Sequence, residues 1–268
     1  MIPAISSLQL IGTLLLMSLS SPDSSWGKRN QPDSSEKIAP IRLYRGNIIR
    51  YTAILAGGGL AFALDRDLRE LYQKPRIHGK TGDWIFENAE NLGTETPYFF
   101  IAPAFIGYGL IAGDKKSVRT GGELAVGLIA SYGMTSGVKA VFGRKRPYES
   151  DSPYEFFDGG RSFYSGHTIT AFTAATIISS NYPKQNLAFV GIDREFPIVP
   201  VITYTLAGLV GIQRLYGDVH WSSDVYVGAM AGYALGRLTV LMGNKFAVRF
   251  LTEISRDAPT LAVVFEVD

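Results

Sequence analysis

The sequence predicts an all-α fold with a core bundle of six helices, and three observations carry that prediction. Six apolar stretches, at 51–64, 98–113, 124–138, 168–180, 198–212 and 225–236, are rich in Ala, Leu, Ile and Gly. None alternates with the two-residue period of a half-buried strand. Polar loops separate each stretch from the next, and no segment repeats at a fixed period.

In chain order, residues 1–21 carry an apolar run, 8–19, followed by Ser20, Ser21, Pro22 and Asp23, which reads as a secretory signal peptide or an amino-terminal anchor. The basic region of that signal is weak, since residues 1–7 contain neither Lys nor Arg. Residues 22–46 are rich in Ser, Pro and charge and read as a flexible tether. Residues 47–245 hold the helical domain, and 246–268 form a carboxyl-terminal extension whose Val-rich stretch 261–267 suggests one short strand.

Each apolar run is shorter than the roughly 20 residues a membrane span needs. Extending one takes in Arg50, Asp65, Glu123, Lys139 or Arg237, which lipid accepts only near helix ends. The pattern therefore favours an exported bundle whose apolar faces bury mostly against each other at a membrane surface, over six integral spans. Were the helices to span in order from a cytoplasmic amino terminus, the loop with Lys115, Lys116 and Arg119 would fall inside, as basic loops prefer.

Composition narrows the chemistry. With 26 Lys and Arg against 24 Asp and Glu, the net charge of +2 argues against a nucleic-acid surface. The absence of cysteine excludes a disulfide framework, a thiolate nucleophile and Cys-ligated metal centres. Histidine chemistry must come from His78, His167 and His220 alone. His78 sits in a polar loop with basic neighbours and reads as structural.

Three short segments place polar residues at the ends of apolar helices. The first runs from Lys139 to Arg146 and Pro147, the second is Ser165-Gly166-His167, and the third joins Arg214, His220 and Asp224. On a helix His220 and Asp224 share one face, so the carboxylate can accept the imidazole N–H and leave the other ring nitrogen as nucleophile or base. Ser165 and Gly166 precede His167 at a helix start, where backbone N–H groups and the helix dipole favour an anion. Lys139, Arg146 and Arg214 bring positive charge from separate segments, suited to a phosphate. His167 can protonate a departing oxygen. Arg144-Lys145-Arg146 could instead be a basic helix cap, and Arg214 with Asp218 a surface pair.

Taken together, Lys-x6-Arg-Pro, Ser-Gly-His and Arg-x5-His-x3-Asp resemble the signature of the type 2 phosphatidic acid phosphatases. That family shares its site with bacterial acid phosphatases and vanadium haloperoxidases. Tyr164 stands where the signature has proline and Gln213 where it has serine, departures expected to change substrate fit. The resemblance implies the six-helix bundle of that family and a metal-independent phosphatase without a cofactor. It also implies His220 as nucleophile forming a phosphohistidine, with Asp224 orienting it. His167 would be the acid and later the base, and Lys139, Arg146, Ser165, Gly166 and Arg214 would hold the phosphate.

The loop 148–164 carries Tyr148, Tyr154, Phe156, Phe157, Phe163 and Tyr164 among several acids. These rings either form an apolar mouth for a lipid or isoprenoid tail or pack the loop onto the bundle. The expected substrate is a phosphorylated lipid or a small phosphate ester: phosphatidate, phosphatidylglycerophosphate, undecaprenyl diphosphate, a lipid A phosphate or a soluble ester. A vanadate-dependent haloperoxidase and a broad-specificity acid phosphatase are the alternatives. The expected location is the cell envelope, on its extracytoplasmic, periplasmic side, as a peripheral or integral membrane protein.

Overall fold

A computed structural model describes residues 45–75, 77–79, 82–84, 86, 89, 95–187, 192–255 and 258–267. The expected signal or anchor segment 1–21, and all of the tether but its last two residues, lie outside the described residues.

Six long helices occupy the six apolar stretches: α1 (Arg45–Ala63), α3 (Glu95–Ala112), α4 (Lys115–Phe142), α5 (Gly166–Asn181), α6 (Ile198–Tyr216) and α7 (Ser222–Lys245). A short amphipathic helix, α2 (Asp65–Tyr72), follows α1. Two antiparallel hairpins accompany the helices. One pairs β1 (Gln185–Leu187) with β2 (Ile192–Phe196) between α5 and α6. The other pairs β3 (Phe246–Ser255) with β4 (Ala258–Val267) after α7 and contains the stretch suspected of forming a strand.

The helices outrun their apolar centres because charges near helix ends face polar surroundings and need not stop the helix. α4 begins behind Asp114, whose side chain accepts the Lys116 N–H at 3.0 Å. It continues through Lys139 and ends at Gly143, whose φ of 47° is a left-handed turn that costs glycine little.

α5 is the hub. Ala171, Phe172 and Ala175 meet Ala207 and Val210 of α6 and Ala229 of α7. Ala174 and Ile177 meet Ala102 of α3, Leu124 of α4 and Val240 of α7. Closeness to α7 comes from three glycines one turn apart. A Cβ on Gly228 would lie 2.9 Å from the Ser165 carbonyl oxygen, on Gly232 2.5 Å from that of Ile169, and on Gly236 2.9 Å from that of Thr173. Backbone therefore meets backbone along the seam.

The outer surface departs from expectation. Phe99 is 75% exposed, Ile111 90% and Ile129 74%, so α3 and α4 each keep an outward apolar face that no other described helix covers. Lys115–Glu149, Ile198–Tyr216 and Ser222–Gly243 are long and apolar enough to cross a membrane. Lipid is the environment such a surface matches.

Candidate active site

The carboxyl ends of α4 and α6 and the amino ends of α5 and α7 converge, and with them all three motif segments. Lys139 lies in the last turn of α4, and Arg146 caps a single 3-10 turn, Pro147–Glu149. Ser165 is the N-cap of α5, its Oγ accepting the Thr168 N–H at 3.4 Å and the Thr168 hydroxyl at 2.9 Å. Arg214 is buried in the last turn of α6, His220 is buried in the following loop, and Asp224 sits in the first turn of α7.

Three hydrogen bonds stitch the segments together. The Ser165 N–H donates to the Asp224 carbonyl at 3.2 Å, the Trp221 indole N–H to the Lys145 carbonyl at 2.9 Å, and the Ser162 N–H to the Arg144 carbonyl at 2.8 Å. Burial, and after it the nearby charges of Arg214, His220, Lys139 and Arg146, push His167 down to about 3 from the ordinary 6.5, a shift that the negative charge of a phosphate would oppose. A Cβ built on Gly166 would fall 3.9 Å from Lys139 Nζ, which sets the lysine against the start of α5. At that start the amides of Gly166 and His167 have no acceptor within the helix, the ordinary condition of a first turn.

His220 Nδ1 lies 3.6 Å from Asp224 Oδ2 and 3.5 Å from Ser162 Oγ. The same Asp224 oxygen accepts the Ser162 hydroxyl at 2.5 Å and the Trp221 N–H at 3.0 Å. Burial pushes His220 down to about 4 from the ordinary 6.5, against the upward pull of Asp224. A neutral imidazole with Nδ1 turned to a carboxylate presents Nε2 as its reactive nitrogen.

Several neighbours differ from the sequence expectation. Arg144 is no basic cap: it is 0% exposed and bonds both Asp65 and Asp224. Asp218 does not pair with Arg214. Both its oxygens accept from Arg69, at 2.9 Å each, while Arg69 also reaches the Ser150 carbonyl at 3.1 Å. The Arg214 Nε–H instead donates to the side-chain oxygen of Gln213, the residue that replaces serine in the signature. His78 is structural as read, stacked on Tyr216 with centroids 4.2 Å apart and its Nε2 against the Tyr72 carbonyl at 3.1 Å.

The aromatic loop divides between its two readings. Phe156 and Phe163 pack on Phe142, and Phe163 also on Phe62 and Tyr164, whereas Tyr148 and Tyr154 are exposed and Phe157 is exposed with one face stacked on Phe142. Among the described residues no group of three or more His, Asp or Glu side chains is arranged to hold a metal ion.

The described helices and this constellation define a class. Residues 120–247, just under half of the chain, match the model of the PAP2 superfamily. A lipid A 1-phosphatase from Porphyromonas gingivalis is 29% identical over 195 residues, which cover 72% of this chain and 38% of the relative. The chain thus spans well under half the length of that relative. The transmembrane PAP2-type phosphatidylglycerolphosphate phosphatase of Bacillus subtilis shares the fold, with a TM-score of 0.53 at 20% identity over 76% of this chain and 98% of that one. The crystal structure of Aquifex aeolicus LpxE has a TM-score of 0.48 at 24% identity, covering 66% of this chain and 95% of that one. The match to this superfamily and the three described helices long and apolar enough to cross a membrane together point to a membrane protein.

Proposed function

We propose that the protein is a metal-independent phosphatase that hydrolyses a phosphomonoester or diphosphate of a lipid or isoprenoid, on the outer side of the cytoplasmic membrane. The observation that carries the reading is a buried histidine–carboxylate pair, His220 and Asp224, close to His167 at the capped start of α5, where Lys139, Arg146 and Arg214 also gather.

In the proposed reaction His220 Nε2 attacks phosphorus while the bond to the ester oxygen breaks, and His167 gives its proton to the leaving alkoxide. The 3.6 Å gap from His220 Nδ1 to Asp224 Oδ2 is longer than a hydrogen bond. It shortens as the ring becomes positively charged on phosphorylation. Water then attacks the phosphohistidine, His167 takes its proton, and the P–N bond breaks to release phosphate and neutral His220. Lys139, Arg146, Arg214, Ser165 and the Gly166 amide neutralise the equatorial oxygens, where phosphoryl transfer gains most.

Membrane helices around the site and the exposed rings of Tyr148, Tyr154 and Phe157 support a lipid substrate, and the relative's name makes a lipid A phosphate the first to try. Purified full chain in detergent should hydrolyse a long-chain lipid phosphate well above a short soluble phosphomonoester. Indifference to the tail would remove the lipid assignment. His220→Ala should abolish turnover and trapped phosphoenzyme together, and survival of either would overturn the mechanism.

A further inference from the structure

We propose that Asp65 and Arg144 are positioning residues that hold Asp224 against His220 and leave its negative charge available to the phosphorylated ring, an inference that rests on the reaction proposed above.

Arg144 follows the glycine that ends α4 and is wholly buried. A guanidinium has five N–H donors in a fixed fork, and all are used. Nε donates to the Pro153 carbonyl at 2.9 Å. Nη1 donates to Ser223 Oγ at 2.7 Å and Asp224 Oδ1 at 2.5 Å. Nη2 donates to Asp65 Oδ2 at 2.7 Å and the Pro153 carbonyl at 2.6 Å. Asp65 is equally saturated. Its Oδ1 accepts the Ser222 hydroxyl at 2.7 Å and the Ser223 N–H at 2.8 Å, and its Oδ2 accepts the Ser223 hydroxyl at 2.7 Å besides Arg144. The first residue of α2 therefore caps the start of α7, bonding Ser222 and Ser223 just before Asp224.

The charge count gives the arrangement a purpose beyond packing. Arg144 alone on Asp224 would neutralise the carboxylate that His220 needs. Because the guanidinium is shared with a second buried carboxylate, the trio carries one net negative charge. That charge is matched when His220 turns cationic on accepting the phosphoryl group. The trio and the imidazole are thus electrically balanced once the ring is charged and not in the resting enzyme, which favours the charge that develops on His220 as phosphorus is attacked. Asp65 lies outside residues 120–247, so the superfamily segment depends on α1 and α2 to complete its site.

Arg144→Lys keeps the charge and loses the fork, while Asp65→Asn keeps the shape and loses the charge. Each is expected to lower kcat of the full chain about 100-fold, the usual cost of misplacing a reacting group by about 1 Å. KM should change by less than about twofold. Neither should deepen the loss already caused by Asp224→Asn, because both act through that carboxylate. Losses that add to Asp224→Asn, or a raised KM at constant kcat, would overturn the assignment. Should neither variant yield folded protein, Ser223→Ala carries the test, since it removes one hydrogen bond from each partner and no charge. A fall in kcat of about tenfold supports the proposal and an unchanged kcat refutes it. Activity surviving in His220→Ala would instead remove the parent mechanism, a result distinct from additivity at Arg144.

Discussion

His220 is 4% exposed, and burial holds its imidazole at about 4 against an ordinary 6.5. The neutral ring is the nucleophile, so the sign is definite: the competent fraction grows as pH rises through about 4 and is lost below it. The acid limb of phosphoenzyme formation should therefore lie near 4, and a limb at 6.5 would mean a solvated ring. Stability follows the same direction. Between 6.5 and about 4 the unfolded chain binds a proton that the folded chain refuses, so acid destabilises the fold across that window. Gly166 separates substrate binding from folding. Its added Cβ would stand 3.1 Å from Thr135 Cγ2 and 3.9 Å from Lys139 Nζ, where the proposed phosphate sits. Gly166→Ala should leave the melting temperature unchanged or higher, since alanine favours helix. It should weaken competitive inhibition by inorganic phosphate about tenfold, roughly 1.4 kcal/mol. Equal inhibition of both proteins would place the anion elsewhere.

At the scale of elements, the seam between α5 and α7 sets the distance between the second and third motifs. Gly228 lies one turn beyond Asp224, so the close approach that it, Gly232 and Gly236 permit is what lets the Ser165 N–H reach the Asp224 carbonyl at 3.2 Å. Gly232→Ala puts a methyl group 2.5 Å from the Ile169 carbonyl oxygen and should cost about 1–3 kcal/mol, read as a lower melting temperature with reduced kcat. A variant as stable and active as the parent would show that the seam does not set the spacing. This seam was only half legible in the sequence, where glycine and alanine were abundant but nothing said which helices they join. The six helices were legible because the apolar runs are longer than buried strands usually are and are rich in Ala, Leu and Gly. Their ends were not, since Lys139 could equally continue α4 or terminate it. β1 offers only three residues, too few for an alternating pattern. The eight candidate site residues could be named from the sequence because fixed local spacing carries them, with the charges at helix ends. Asp65 and Arg144 were not, being 79 positions apart with no spacing to betray the pair.

For the whole molecule, the unanswered question in the sequence was orientation, and charge placement on the fold bears on it. At the site end Lys145 and Arg69 are paired with Asp158, Glu155, Asp218 and Asp151, and Arg146 and the exposed Arg161 lie near Lys139 of the proposed phosphate site. The opposite end, at the turn from α3 to α4, carries exposed Lys115 and Lys116. Basic residues beside spans stay on the cytoplasmic side, so the site end is expected to face outward, where the proposed substrate presents its phosphate. The chain contains no cysteine, so a single introduced thiol reports its side of the membrane without background. Tyr154→Cys, exposed in the aromatic loop, should react with a membrane-impermeant maleimide on intact cells or spheroplasts. Lys115→Cys should react only after the membrane is opened, and both proteins should stay in the pellet through a high-salt wash. The reverse labelling pattern would put the site in the cytoplasm and exclude substrates displayed on the outer leaflet. Release by salt would mean that the exposed apolar faces of α3 and α4 meet something other than lipid.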